Sequence, residues 1–490
     1  MRIAIVASEA VPFSKTGGLA DVAGTLFKEY RSLGIETWLF VPLYKRTKEQ
    51  FGDGIRDTGI RLSIPLGKAS RTCSVFMLKD QGTGSQRRGA DRSTAAGGVF
   101  FVGNDDFFER DELYGTPAGD YPDNDQRFIF FSRSVLEICR AFRIAVDVVH
   151  CNDWQTGLIP LYLKRLYPGD PVLRGAVSLI TIHNLGYQGL FPPQTLSITG
   201  LGTDLFHPDG IEFYGKVNFL KAGIVGADMI TTVSTTYAQE ILTPAMGFGL
   251  DGILAKRADV LAGIINGIDY SEWDPSRDPF LPRQYTAEDL SGKRACKSAL
   301  AERCSLKDSR APLVCFIGRL SAQKGVDLIA EATPSLIDEG ANLLVIGKGD
   351  APYHALFDSL AGRFAGRLYV YSRFDEAFAH MAYAGSDIFL MPSQYEPCGL
   401  GQMIAMRYGT IPAARKTGGI TDTVEDGETG FLFEEYTVES FLGCLRRALN
   451  AFASKRTWQR VIIKAMSRDF SWKRSAEQYV ALYRRGLAAR

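Results

Sequence analysis

A lysine, a hydroxyl and two glycines occur together twice in this chain, as Lys15-Thr16-Gly17-Gly18 and as Lys416-Thr417-Gly418-Gly419. Each copy follows a β-like apolar run and precedes a helix-like stretch. Glycines let backbone N–H groups come close to a ligand, a helix N-terminus favours negative charge, and the lysine adds a point charge that can meet a phosphate. These are the parts of an anion site, although a glycine turn before a helix is more often only a turn. The echo continues through Leu19-Ala20-Asp21-Val22 and Ile420-Thr421-Asp422-Thr423-Val424. Duplication of one βα loop would put a Gly-rich helix start in each of two domains.

The run Phe316-Ile317-Gly318-Arg319-Leu320-Ser321-Ala322-Gln323-Lys324-Gly325 sets two cations at the end of an apolar strand. Ligands of open α/β sheets bind at the carboxyl ends of strands, where such cations suit a pyrophosphate; a solvated loop is the plainer alternative. Ser393-Gln394-Tyr395-Glu396-Pro397-Cys398-Gly399-Leu400-Gly401 repeats the context with a carboxylate beside the glycines. An acid there would repel phosphate but can hold sugar hydroxyls; otherwise it caps the following helix. His183, in Thr181-Ile182-His183-Asn184-Leu185-Gly186, and Asp153-Trp154, after His150-Cys151-Asn152, also stand past strand ends. The indole can stack on a sugar ring, but core packing is the commoner fate of a tryptophan. Two further motifs read as structural. Gly347-Lys348-Gly349 lacks the third small residue of a dinucleotide fingerprint. Asp123-Asn124-Asp125 has the spacing of a metal–nucleotide ligand pair, but it follows a turn and opens a helix, so capping is expected.

Groups at strand ends need strands behind them. Short β-branched runs predict them at 3–7, 38–42, 73–78, 99–102, 147–150, 179–183 and 230–233, and again at 313–318, 343–347, 368–371, 388–392 and 411–414. Between them, stretches such as 128–142 and 157–167 carry apolar residues at three- and four-residue spacings, the sign of helices packed by one face. Apolar strands alternating with helices are the pattern of parallel sheets covered on both faces, and two such series imply two doubly wound α/β domains. A turn signal at 266–274 marks the boundary between them. Segment 79–98, rich in Gly, Ser, Thr and Arg without periodicity, is expected to form a long mobile hairpin tip.

Composition narrows the function classes. The 490 residues carry 56 Lys+Arg against 55 Asp+Glu, a net charge of +1, which argues against nucleic-acid or anionic-membrane partners. No apolar run approaches the roughly 20 residues that span a bilayer, and the first residues lack a signal-peptide pattern, so a cytoplasmic location is expected. The eight cysteines form no Cys-x-x-Cys pair and several sit in apolar runs, as buried free thiols do rather than zinc ligands.

Together these segments resemble the bacterial glycogen synthase and plant starch synthase family of glucosyltransferases. The resemblance rests on Lys15 through Val22, His183-Asn184-Leu185, Tyr187-Gln188-Gly189, Asn266-Gly267, Arg319 through Lys324-Gly325, Glu396-Pro397-Cys398-Gly399-Leu400 and Thr417-Gly418-Gly419. The matches run in family order to Asp469-Phe470-Ser471-Trp472 and so span nearly the whole chain. The resemblance implies a GT-B architecture of two facing Rossmann-like domains, 1–265 on the acceptor side and 266–471 for the nucleotide sugar. A last helix, about 472–487, would cross back so that 472–490 completes the first domain. The implied reaction moves glucose from ADP-glucose to the nonreducing 4-hydroxyl of an α-1,4-glucan such as glycogen or maltodextrin, with retention and with neither metal nor cofactor. Glu396, His183, Arg319 and Lys324 would be catalytic: the two cations, with N–H groups at Gly18 and around Gly418-Gly419, neutralise the leaving diphosphate, and Glu396 offsets oxocarbenium charge. Substrate contacts are implied at Lys15, Gly17, Gly18, Asp21, Asp153, Asn184, Asn266, Cys398, Gly399, Leu400, Thr417, Gly418 and Gly419, and Phe374 would stack on the nucleobase.

Three positions depart from the family pattern. Asn152 stands where many relatives carry His, Ile404 where wider E-x7-E transferases carry a second carboxylate, and Ile420 where leucine is commoner. Other readings are the same transferase with UDP-glucose or a small sugar acceptor, a catalytically silent glucan-binding homologue, and a nicotinamide oxidoreductase. The intact set Lys15, His183, Arg319, Lys324 and Glu396 speaks against the silent homologue, and the incomplete fingerprint against the oxidoreductase.

Overall fold

The computed structural model describes residues 1–79, 97–116, 119–373 and 375–490. Most of segment 79–98, read above as a hairpin tip, lies outside the described residues, as does Phe374. The chain divides into two compact units, Met1–Val233 with Ala238–Ile264 and Trp472–Arg490, and Ser234–Tyr237 with Ile265–Ser471. Among the described residues no helix is long and apolar enough to cross a membrane.

The first unit is built on one sheet of nine strands: β1 (Arg2–Val6), β2 (Glu36–Pro42), β3 (Ile55–Leu66), β4 (Ala69–Leu78), β5 (Gly97–Gly103), β6 (Val148–Asn152), β7 (Val177–Ile182), β8 (Met229–Thr232) and β9 (Leu261–Gly263). Their order is β9-β8-β7-β6-β1-β2-β5-β4-β3. From β9 to β5 every pairing is parallel; β4 and β3 add an antiparallel hairpin at the far edge. The central strands β6 and β7 are buried at every residue, so that even their polar members His150, Asn152, Ser178 and Thr181 lie inside.

Helix α1 (Gly18–Ser32) buries Leu19, Val22, Ala23, Leu26 and Tyr30, spaced to share one face. Gly24, on another side of the helix, must be glycine, since a Cβ there would stand 2.3 Å from the carbonyl oxygen of Val11. The helix Trp472–Ala488 packs on α1 and belongs to this unit. A buried chain of hydrogen bonds runs from Tyr30 to Tyr483 (3.0 Å), to Nδ1 of His150 (2.7 Å), and from its Nε2 to Thr181 (2.7 Å) and Thr231 (2.6 Å). Burial pushes His150 down to about 3, so the ring is neutral and can donate through one nitrogen and accept through the other.

The second unit holds six parallel strands, β10 (Leu313–Ile317), β11 (Asn342–Ile346), β12 (Leu368–Tyr371), β13 (Ile388–Met391), β14 (Ile411–Arg415) and β15 (Phe431–Phe433), in the order β12-β11-β10-β13-β14-β15. Its motif Gly347-Lys348-Gly349 serves packing. A Cβ at Gly347 would lie 1.8 Å from the carbonyl oxygen of Gly318, and one at Gly349 2.1 Å from that of Leu320. All eight cysteines are free, seven of them buried and Cys398 partly so.

Candidate functional site

In an open α/β sheet the crevice for ligands forms where neighbouring strands send their connections in opposite directions. In the first unit that reversal falls between β1 and β6. The loop after β1 carries Glu9 and Lys15 through Gly18; β6 ends on Asn152, and the loops after β6 and β7 carry Asp153 and His183. In the second unit the reversal falls between β10 and β13. The loop after β10 carries Arg319 and Lys324, that after β13 carries Glu396, and that after the adjoining β14 carries Thr417 through Gly419.

In the first half-site the Gly-Gly loop is held from behind by an acid that the sequence reading passed over. Glu9, buried, accepts hydrogen bonds from the backbone N–H groups of Thr16 and Gly17, from the Thr16 hydroxyl (2.9 Å) and from Tyr114 (3.3 Å). Burial pushes its carboxyl up to about 7 against the pull of those donors. With the Gly17 N–H engaged, the amide offered at the start of α1 is that of Gly18, and space beside both glycines is open to at least 4 Å. Lys15 is exposed and reaches Asp21 one helical turn on (2.7 Å). A ligand anion would therefore take the ammonium from Asp21.

Asn152 has a definite task here. Its amide donates to the carbonyl of Val6 (3.1 Å), and its Oδ1 lies 2.9 Å from Nε2 of His183. The amide oxygen can only accept, so His183 is protonated at Nε2 and turns Nδ1 to use as an acceptor. Burial holds this ring down at about 3, which makes it a neutral hydrogen-bonding group rather than a cation. Asp153 adopts φ +54°, a strained conformation for a non-glycine residue. Its carboxylate receives the backbone N–H groups of His183 (2.7 Å) and Asn184, and burial pushes it up to about 7. Asn184 closes its own turn by accepting from Gly186 (2.9 Å). Trp154 packs edge-on to Phe128 and against Gly189, where a Cβ would be 2.4 Å from the indole; it supports the Tyr187–Gly189 loop.

In the second half-site Glu396, 5 % exposed, accepts from Lys324 Nζ (2.5 Å) and from the Ser393 hydroxyl (3.0 Å). It does not cap the helix Gly401–Arg407, whose N-terminal flank is Leu400 with no side-chain cap. Lys324, expected on the diphosphate, is thus paired with the carboxylate, while Arg319 is exposed with no ion pair among the described residues. Gly325 must be glycine twice over, with φ +69° and a Cβ position 2.0 Å from the Pro392 carbonyl. Gly399 packs beside Glu396 Cγ, 3.2 Å from where a Cβ would be. Cys398 has its thiol pushed up to about 12 by burial and accepts from the backbone of Asn266, whose own Oδ1 is buried without a hydrogen-bond partner.

One expectation needs correcting in the second Gly-Gly loop. The Gly419 N–H donates to the carbonyls of Glu396 (3.2 Å) and Pro397 (3.1 Å) and is not offered to a ligand. Thr417, 2 % exposed, precedes the helix Gly418–Thr423 without a side-chain cap hydrogen bond to it. Asp123 is corrected as well. It makes no cap hydrogen bond and instead pairs with Arg110 through both carboxylate oxygens (2.8 and 2.6 Å).

Two strand-end crevices of this kind, one lined by glycine, lysine and a neutral imidazole and the other by cations beside a buried carboxylate, are those of a GT-B glycosyltransferase. Residues 2–256 match the starch synthase catalytic domain and residues 301–460 the glycosyl transferases group 1. The glycogen synthase of Thermodesulfovibrio yellowstonii is 47% identical over 99% of this chain and 97% of its own length, and that of Syntrophotalea carbinolica 43% over 99% of each. The catalytic domain of starch synthase IV from Arabidopsis thaliana, solved bound to ADP and acarbose, superposes with a TM-score of 0.88 at 33% identity over 99% of each chain. The chain belongs to the glycogen synthase and starch synthase family of glycosyltransferases.

Proposed function

We propose that this enzyme moves glucose from ADP-glucose to the nonreducing 4-hydroxyl of an α-1,4-glucan with retention, acting in the cytoplasm. The observation that carries the reading is the Glu396 carboxylate, nearly dry, held by Lys324 and Ser393 where strands β10 and β13 diverge. Breaking a glycosidic bond to a diphosphate puts negative charge on the departing group and positive charge on the sugar. Arg319 and Lys324 answer the first and Glu396 the second, and charge preorganised in this way acts without reorganising during the reaction. As the donor's diphosphate arrives, Lys324 would share itself between that group and Glu396. In the first unit the Gly18 amide and Lys15 offer an anion site, and the neutral His183 offers Nδ1 as an acceptor for a sugar hydroxyl. The ADP in the Arabidopsis relative supports the choice of base and its acarbose the choice of a glucan acceptor.

Nucleotide release and chain extension measured with maltodextrin and either ADP-glucose or UDP-glucose test the reading. Turnover with ADP-glucose that exceeds UDP-glucose by at least tenfold is expected. Preference for UDP-glucose, or extension of a free sugar phosphate instead of maltodextrin, overturns it.

A further inference from the structure

A cluster in the second unit, outside the residues assigned above, has the makings of a metal site. Helix Glu376–Gly385 carries Glu376 in its first turn and His380 one turn later, so the two side chains share a face. His380 is 1 % exposed, with its ring stacked on Trp273 at 4.0 Å and an interplanar angle of 11°. Its Nδ1 lies 2.7 Å from Oδ2 of the buried Asp278. That carboxylate also receives the Tyr408 hydroxyl (2.5 Å) and the Phe280 N–H (2.9 Å), so it is a pure acceptor and Nδ1 must carry the proton. Nε2 is left with a lone pair, buried and without a hydrogen-bond partner. Buried polar atoms are nearly always satisfied, and an exception calls for an explanation, a bound ion among them.

The groups beside it indicate which ligand. One ligand atom each from Glu272, Glu376 and His380 lie within 4.8 Å of one another. We propose that Glu272, Glu376 and His380 bind a divalent cation of the zinc class, with water completing the shell. Imidazole nitrogen and carboxylate oxygen both ligate zinc, and a ligating imidazole that donates its other N–H to a buried carboxylate is the usual supporting arrangement. The ion would tie the first turn of the helix Glu376–Gly385 to the turn that ends at Trp273. It stands apart from the transfer chemistry and takes no part in it.

Cobalt(II) serves as the probe, added to the chelator-treated full-length protein and followed by its visible d–d absorption, then displaced with Zn²⁺. The expected result is one equivalent bound per chain, with affinity lowered at least tenfold in Glu376→Gln and in Glu272→Gln. Both glutamates are exposed, so these variants keep the fold. Thermal melts give a second readout: Zn²⁺ should raise the melting temperature of the wild type and of neither variant. No binding, binding of equal strength in the variants, or a sulfur-to-cobalt charge-transfer band would overturn the assignment.

Discussion

A Cβ added at Gly17 or Gly18 would meet nothing within 4 Å, whereas one at Gly418 would stand 2.1 Å from the carbonyl oxygen of Glu396, in a backbone already at φ +44°. The two Lys-Thr-Gly-Gly loops share a sequence and a place after a strand, yet their glycines make room for different things. In the first unit they leave space for a ligand, and the acid that matters, Glu9, grips the loop from the protein side. In the second they leave space for protein, and the loop grips the backbone that presents Glu396. A repeated motif therefore reports a repeated fold, and its neighbours decide whether it binds or supports.

The largest expected effect breaks the comparison at its acid. Glu396→Gln keeps the size and the Ser393 contact but removes the charge, and kcat should fall by roughly 10²–10³ while melting changes little. A destabilised but fully active variant would mean that Glu396 is structural. Next, Gly418→Ala forces a side chain into the Glu396 backbone in a left-handed conformation. Urea unfolding should show a loss of about 2–4 kcal/mol, with activity falling alongside. A stable, active Gly418→Ala would erase the distinction between the loops.

A pH series sharpens the first half. Glu9 titrates near 7 in the folded state against an ordinary 4.5, so the native protein holds a proton that the unfolded chain releases. Its contribution is therefore most favourable below about pH 4.5, declines as pH rises to about 7, and is flat above that. Glu9→Gln should remove this decline, and melting temperatures of the two proteins across that window measure it; parallel curves would refute the shift. The smallest effect is Gly18→Ala, which should leave stability unchanged or raise it by about 0.4–1 kcal/mol. Its expected signature is a higher KM for the sugar nucleotide, and an unchanged KM would show that no phosphate approaches this turn.

The buried strands announced themselves in the sequence because β6, β7 and β10 are covered on both faces and are rich in β-branched and apolar residues, β10 (Leu313-Val314-Cys315-Phe316-Ile317) without a polar break. Strand β3 did not. It is an edge strand whose residues are mostly exposed, so Arg56, Asp57 and Gly59 carry no alternation to read. Glu396, His183 and Arg319 stood out as charged or polar residues directly after apolar runs. Asn152 did not, because its importance lies in a partner far along the chain: it acts through His183, whose register beside it is set by the pairing of β6 and β7. Similarly, nothing local distinguishes the N–H of Gly419 from that of Gly18; only the 396–398 backbone packed against it does.

The hydrogen-bonded chain through Tyr483 has a consequence for the order in which the protein is made. Strands β1–β9 leave the ribosome first, but the helix Trp472–Ala488 that closes their core follows only after the whole of Ile265–Ser471. Until then Tyr30 and His150 lack the hydroxyl that joins them, and the apolar face of α1 lacks Ala476, Tyr479 and Val480. Nascent domains with uncovered apolar surface are the ones that aggregate or recruit chaperones. The second unit, continuous but for four residues already synthesised, can fold as it emerges, so the half of the enzyme begun first is finished last.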